Sequence, residues 1–280
     1  MPLEWITSIL EAATSDKYHA GGRMTATRVL GCPRESVILD NKEIVYDVRS
    51  GNQTKHGSML HREMERCARP GTYQEIVIPP FEFGGYMLEG RTDKVAGDFS
   101  MIKDWKGHSE NSQKYKYEKF VKGASDPEGA AQLNLYRIGI AKTVLNRPPE
   151  DYRPKLILVH GANTSFDGIP WYEQECPIMS EEQILNLHSF DDDQNPGTQP
   201  FTVRDLMDQF ATAHKRITAG EDVDAVINDM PLVGQNVWAW KWNKKTRSRT
   251  RVPIGDKCLK YCVAAETCMG IAGIPFTRAR

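Results

Sequence analysis

Between Glu75 and Cys176 the hydrophobic pattern changes period twice, and this change constrains the fold more than any other feature of the chain. Glu75–Pro79, Gly85–Ala96 and Phe99–Trp105 have the short, partly alternating apolar character of strands, the last two joined as a hairpin at Gly97-Asp98. Pro127 then opens a long helix to about Asn146, where Arg147-Pro148-Pro149 stops it. Lys155–His160 and Trp171–Cys176 return to strand character. A chain with this order folds as an α/β core, a small mixed central sheet flanked by helices.

Further helices are predicted at Leu3–Ala13, where Trp5, Ile6, Ile9, Leu10 and Ala13 recur at helical spacing, and at Thr25–Leu39, interrupted near Cys32-Pro33. Others are predicted at Gly57–Ala68, closed by Pro70-Gly71, at Ser180–Leu187 and at Thr202–Ala219. No internal repeat or low-complexity tract interrupts the pattern, so one domain over residues 1–280 is expected.

Composition excludes the disordered and fibrous classes, with 40% hydrophobic and 26% charged residues among 280. Residues 1–20 lack a basic flank followed by an apolar stretch, and no window approaches the roughly 18 apolar residues of a membrane span. The expectation is an intracellular, cytoplasmic protein without a membrane partner. In that reducing setting six cysteines read as metal ligands or core thiols rather than disulfides, and Cys67 and Cys176, which fit no ligand spacing, read as core thiols. The formal net charge of −1 gives no global basic footprint, so a nucleic-acid partner would need locally concentrated cations.

Four segments combine into an acidic constellation. Gly57, His61 and Glu65 lie four apart and share one helix face. If the hairpin turns near Asp98-Phe99, antiparallel pairing brings Asp93 of Gly90-Arg91-Thr92-Asp93 close to Asp104, and two adjacent carboxylates repel unless a cation sits between them. Asp104 and Lys106 face one side of their strand while Trp105 faces the other. Gln132 and Tyr136 share a face of the long helix. Oxygen ligands from Asp93 and Asp104, a nitrogen from His61 and the backbone carbonyl of Trp105 suit Mn²⁺, with Mg²⁺ as the alternative. This set fits phosphodiester hydrolysis, Lys106 supplying positive charge to the attacking water or the transition state.

Taken together, Gly57-x3-His61-x3-Glu65, Gly90-x2-Asp93, Asp104-x-Lys106 and Gln132-x3-Tyr136 resemble the RecB-like branch of the PD-(D/E)XK nucleases over roughly residues 55 to 140. The resemblance implies a restriction-endonuclease-like core. It also implies that His61, Asp93 and Asp104 hold the metal, that Lys106 is catalytic together with Glu65, and that Gln132 and Tyr136 position DNA. A metal-dependent DNA exonuclease is the activity expected, acting on single-stranded ends and, by the resemblance, from 5′ to 3′.

Cys32 in Gly31-Cys32-Pro33-Arg34 and the C-terminal set Cys258-x3-Cys262-x5-Cys268 could together hold a 4Fe-4S cluster or a tetrahedral zinc ion. One distant and three clustered ligands would tie the two ends of the chain together, so that residues 1–50 and 230–280 combine around a nuclease core at 55–220. The arrangement is similar to the iron-sulfur subgroup of the same nucleases, the CRISPR-associated RecB-like exonuclease family. That subgroup separates its first two C-terminal cysteines by two residues; here three intervene, which keeps Zn²⁺ as the alternative.

Two basic stretches are candidate DNA contacts. Trp238 to Arg251 reads as a hairpin in which Trp240 and Trp242 interleave with Lys241, Lys244, Lys245, Arg247, Arg249 and Arg251. The tryptophans serve equally well as stacking platforms or as core residues. Lys114, Lys116, Lys119 and Lys122 follow the Asp-x-Lys strand and either steer substrate inward or form a solvated loop. Expected roles are end processing in recombination, phage replication or CRISPR adaptation, with a possible recombination or integrase protein partner. A catalytically silent DNA-binding scaffold that keeps the fold and the metal cluster is the alternative.

Overall fold

A buried polar residue, Thr92, divides into two strands a stretch that reads as one. The computed structural model describes residues 24–44, 72–74, 76–108, 116–118, 120–123, 126–162, 171–188, 201–231, 239–243, 248–252 and 262–274. The predicted helices at Leu3–Ala13 and Gly57–Ala68 lie outside them. Two compact units emerge, and of the described residues the first holds Thr25–Thr27 and 72–184, the second 24, 28–44 and 185–274.

In chain order, a two-residue strand β1 (Met24–Thr25) and a single 3-10 turn (Arg28–Leu30) precede helix α1 (Pro33–Asn41). The helix expected from Thr25 therefore starts only at Pro33. That residue occupies the first turn, where a missing N–H costs nothing, and Cys32 stays extended as the N-cap.

The first unit is built on β2 (Thr72–Gln74), β3 (Val77–Phe83), β4 (Tyr86–Arg91), β5 (Lys94–Ala96) and β6 (Met101–His108). Helix α2 (Pro127–Thr143) and strands β7 (Lys155–Ala162) and β8 (Tyr172–Cys176) complete it, with the short helix α3 (Glu181–Leu185) beginning at its edge. The two predicted strands shift their bounds. Of Glu75–Pro79, Val77 to Pro79 open β3, which continues through Pro79-Pro80 because the ladder shifts register there. Gly85–Ala96 is cut at Thr92-Asp93, so that β4 pairs with β3 while β5 joins a different sheet.

That second sheet has five strands in the order β2-β5-β6-β7-β8. The β6/β7 pair is parallel and the other three are antiparallel, which makes the sheet mixed, as expected. The β5/β6 hairpin turns through Ala96–Phe99, with the Phe99 N–H donating to Ala96 O at 2.8 Å and Phe99 at φ 59°.

Helix α2 lies against β3, β4, β6 and β7, and every residue from Gly129 to Ala141 is buried. An all-round buried helix shows no amphipathic stripe. Gly139 lets it approach β3, since a Cβ there would meet Ile78 and Phe81 at 2.6 Å. Asp126 caps it, its carboxylate accepting the Gly129 N–H at 3.0 Å.

In the second unit α1 packs against α4 (Val203–Thr218), α5 (Val223–Asp229) and α6 (Ala265–Ile271). Thr202 and Asp205 form a capping box at the start of α4. Arg28 of the 3-10 turn and Asp40 near the end of α1 form a two-bond ion pair at 2.8 Å. Strands β9 (Ala239–Asn243) and β10 (Ser248–Val252) pair antiparallel, as the expected hairpin requires. No helix among the described residues is long and apolar enough to cross a membrane.

Candidate active site

Strand β6 carries the centre of the site because its alternation places Ile102, Asp104, Lys106 and His108 on the side that faces α2. Ile102 is fully buried and anchors the strand, and Asp104 follows it inward at 3% exposure. The β5/β6 register pairs Lys94 with Lys103, so Asp93 stands one step beyond that pair, beside Asp104. The chain turns out of β4 at the buried Thr92, whose N–H donates to Ile76 O at 3.0 Å, and this break delivers Asp93. Its Oδ2 accepts the Trp105 N–H at 2.7 Å.

Lys106 Nζ lies 2.7 Å from Asp104 Oδ2 and donates to Gln132 Oε1 at 2.7 Å. Lysine can only donate, which fixes the amide orientation: Gln132 Nε2 then donates to Tyr136 Oη at 2.6 Å. The same nitrogen lies 3.4 Å from Asp104 Oδ1 and 3.4 Å from Thr27 Oγ1. The Tyr136 ring comes so close to β4 that a Cβ at Gly90 would sit 3.2 Å from it. Gly90 of the sequence motif thus makes room for the tyrosine.

Burial on its own would lower the Lys106 pKa, but Asp104 foremost, with Tyr136 and Asp93, raises it above the ordinary value, so the ammonium stays charged. Burial, followed by the Asp104 charge, pushes the Tyr136 hydroxyl up to about 12. Tyr136 therefore remains a neutral donor at any working pH. Asp104 Oδ2 receives no well-aligned hydrogen bond even though Lys106 Nζ lies 2.7 Å away; the contact is an ion pair without the angle of a hydrogen bond. A buried carboxylate oxygen in this state, with a second carboxylate beside it, fits a hard divalent cation. Among the described residues no three His, Cys, Asp or Glu side chains gather to hold a metal ion. Two of the candidates, His61 and Glu65, lie outside the described residues.

The structure adds groups that the sequence reading missed. His108 Nε2 lies 2.9 Å from His160 Nδ1, and His160, 1% exposed, stands opposite Lys106 on β7. Stacked rings continue from His160 to Tyr172 at 4.7 Å and on to Phe120 at 4.6 Å. His108 was detectable in principle, since Asp104-x-Lys106-x-His108 keeps strand alternation. His160 and Thr27 were not, because only tertiary pairing brings them in. Lys116, from the second lysine run, is paired with Asp126 at 2.6 Å, and Lys122 is exposed. Lys114 and Lys119 lie outside the described residues.

Burial, then the nearby Lys116, lowers both imidazoles, His108 to about 3 and His160 to about 4. Both are neutral in the folded protein, so below the ordinary imidazole value the unfolded chain takes up protons that the folded pair refuses. This contribution is intact above about pH 6.5 and is lost progressively as pH falls towards about 4. Urea midpoints at about pH 7 and about pH 5 should therefore drop further in the wild type than in a His108→Gln/His160→Gln double variant. Equal drops would count against the assignment.

In the second unit Cys32 caps α1, its carbonyl accepting the Ser36 N–H at 3.2 Å. Cys268 is buried within α6, which packs on α1, and Cys262 is buried ahead of that helix, while Cys258 lies outside the described residues. Burial raises the Cys268 pKa and Arg34 opposes that shift. Cys176 is buried in β8, where burial pushes its thiol up to about 12, as suits a core thiol. Cys67 lies outside the described residues. The β9/β10 register sets Arg249 opposite Trp242 and Arg251 opposite Trp240, with Lys241 opposite Thr250. Lys244, Lys245 and Arg247 lie outside the described residues.

No protein-family model matches the chain, and no curated protein matches it. Among solved structures it is similar to the crystal structure of SSO0001, with a TM-score of 0.40 and 19% identity over 64% of this chain and 79% of that one. It is also similar to an alkaline exonuclease (LHK-Exo) from Laribacter hongkongensis, with a TM-score of 0.39 and 14% identity over 77% of this chain and 96% of that one. Likenesses this loose carry no argument, and the functional reading rests on the site.

Proposed function

We propose that this protein is a Mn²⁺- or Mg²⁺-dependent DNA nuclease of the PD-(D/E)XK type, acting as an exonuclease on single-stranded ends. The observation that carries the reading is Lys106, held charged between the buried Asp104 carboxylate and the Gln132 side chain, with Asp93 alongside. Asp93 and Asp104, with His61 and the Trp105 carbonyl, would hold the cation. When bound, it lowers the pKa of water and neutralises charge that builds on phosphoryl oxygens.

Lys106 donates to the attacking water or to a phosphoryl oxygen in the transition state. Gln132 keeps that ammonium in place and holds the Tyr136 hydroxyl, which in its neutral form can donate to a phosphate. Glu65 completes the acidic set. DNA would follow the β9/β10 hairpin through Trp240, Trp242, Lys241, Arg249 and Arg251, together with Lys244, Lys245 and Arg247. Cys32, Cys258, Cys262 and Cys268 would hold a 4Fe-4S cluster, with Zn²⁺ as the alternative.

End-labelled single- and double-stranded DNA incubated with Mn²⁺ or Mg²⁺ tests the reading. Progressive shortening of the single strand from one end, stopped by EDTA, is the expected outcome. Intact DNA that is nevertheless bound in a gel shift would favour the scaffold alternative, and neither cleavage nor binding would sink both.

A further inference from the structure

The polar network of the site extends beyond Gln132 and Tyr136 to Thr27, which none of the four motif segments includes. Thr27 is placed by the strand that also admits the tyrosine. Met24 and Ala26 are buried, and the Ala26 N–H donates to Glu89 O of β4 at 3.1 Å, next to Gly90, whose missing side chain leaves room for the Tyr136 ring. The turn that follows leaves Thr27 exposed, yet its Oγ1 lies 3.4 Å from Gln132 Nε2 and its hydroxyl shares a hydrogen bond with that of Tyr136. Tyr136 itself is only 4% exposed. The pair of hydroxyls therefore has a buried end and an open end, and Thr27 is the open one.

The direction of these hydrogen bonds follows from the donors. The Lys106 ammonium can only give protons, so Gln132 Oε1 accepts there and the amide nitrogen gives to both hydroxyl oxygens. Each hydroxyl still carries one proton of its own, and their mutual bond uses one of the two. A donor left unspent is costly at the buried Tyr136 and costs little at the exposed Thr27, where water can take it. Tyr136 therefore donates to Thr27, and the surplus O–H emerges on Thr27. An O–H at the end of a chain that begins at an ammonium is polarised towards an anionic acceptor. We propose that Thr27 is a substrate-binding residue, its hydroxyl donating to a phosphate oxygen of the DNA strand held at the site. The inference rests on the nuclease reading above and refines it, since the Tyr136 hydroxyl then acts on phosphate by way of Thr27.

The test compares three full-length proteins on an end-labelled single-stranded oligonucleotide with Mn²⁺: the wild type, Thr27→Val, which keeps the shape without the hydroxyl, and Thr27→Ser, which keeps the hydroxyl. Loss of a hydrogen bond to a charged group should raise KM in Thr27→Val about 10- to 100-fold while kcat changes little. Thr27→Ser should restore most of the loss. A residue that merely held Gln132, and through it Lys106, would lower kcat instead. If Thr27→Val fails to fold by circular dichroism, Thr27→Ala decides on the same readout. A wild type that cuts DNA, beside a folded variant whose KM is unchanged or whose loss is confined to kcat, overturns the role of Thr27 and leaves the nuclease reading standing. A wild type that cuts no DNA overturns that reading and this inference with it.

Discussion

Replacing Asp104 by Asn or Lys106 by Met should lower Mn²⁺-dependent DNA hydrolysis by about 100- to 1000-fold or more, the scale seen when one preorganised charge or donor is removed from a transition state. The stabilities should move in an informative way. Lys106→Met leaves the neighbouring Asp93 and Asp104 carboxylates without the ammonium that Asp104 now pairs with at 2.7 Å, so like-charge repulsion destabilises the fold. Asp104→Asn removes one of those charges but leaves the Lys106 ammonium without its main partner. The double variant removes both imbalances, so its urea midpoint should lie closer to wild type than the sum of the single effects implies, while its activity stays absent. A rate near wild type in either single variant would remove these residues from the mechanism.

The largest expected loss of stability comes from Arg137, away from the reacting groups. This guanidinium is 2% exposed and donates to the carbonyls of Pro149, Tyr152 and Met179 and to Asn134 Oδ1. Asn134 in turn bonds to the Ala130 and Pro177 carbonyls and accepts the Met179 N–H. Arg137→Met keeps roughly the volume but leaves these buried and part-buried acceptors without their donor, at a cost of about 1–3 kcal/mol for each acceptor that water does not reach. Urea denaturation of the purified variant measures this directly, and a loss under about 1 kcal/mol would show that water or relaxation replaces the network. Because Asn134 and Arg137 share α2 with Gln132 and Tyr136, the variant should also weaken substrate positioning.

The strand that carries the candidate site was legible because it obeys local rules. Ile102, Asp104 and Lys106 alternate, the turn at Gly97-Asp98 sets the hairpin register, and that register alone places Asp93 by Asp104. Pro127 and Arg147-Pro148-Pro149 bounded α2 nearly correctly for the same reason: proline acts on its own backbone. The break at Thr92-Asp93 was not legible. Residues 85–96 read as a single strand, and the switch between sheets goes with the Thr92–Ile76 bond and with α2 packing against both sheets. The short helices α5 and α6 also escaped, since seven residues each carry too little periodic signal.

Residue types and their spacing along the chain determined the α/β class, the Asp-x-Lys strand and the pairing of Gln132 with Tyr136. Tertiary structure decided the rest: Gln132 bridging Lys106 to Tyr136, His160 beside His108, and a buried arginine against Cys268. The division follows from the range of the forces. Backbone sterics and side-chain alternation act over a few residues and are written in the sequence, whereas the environment that sets a buried charge or hydrogen bond is assembled from segments distant along the chain.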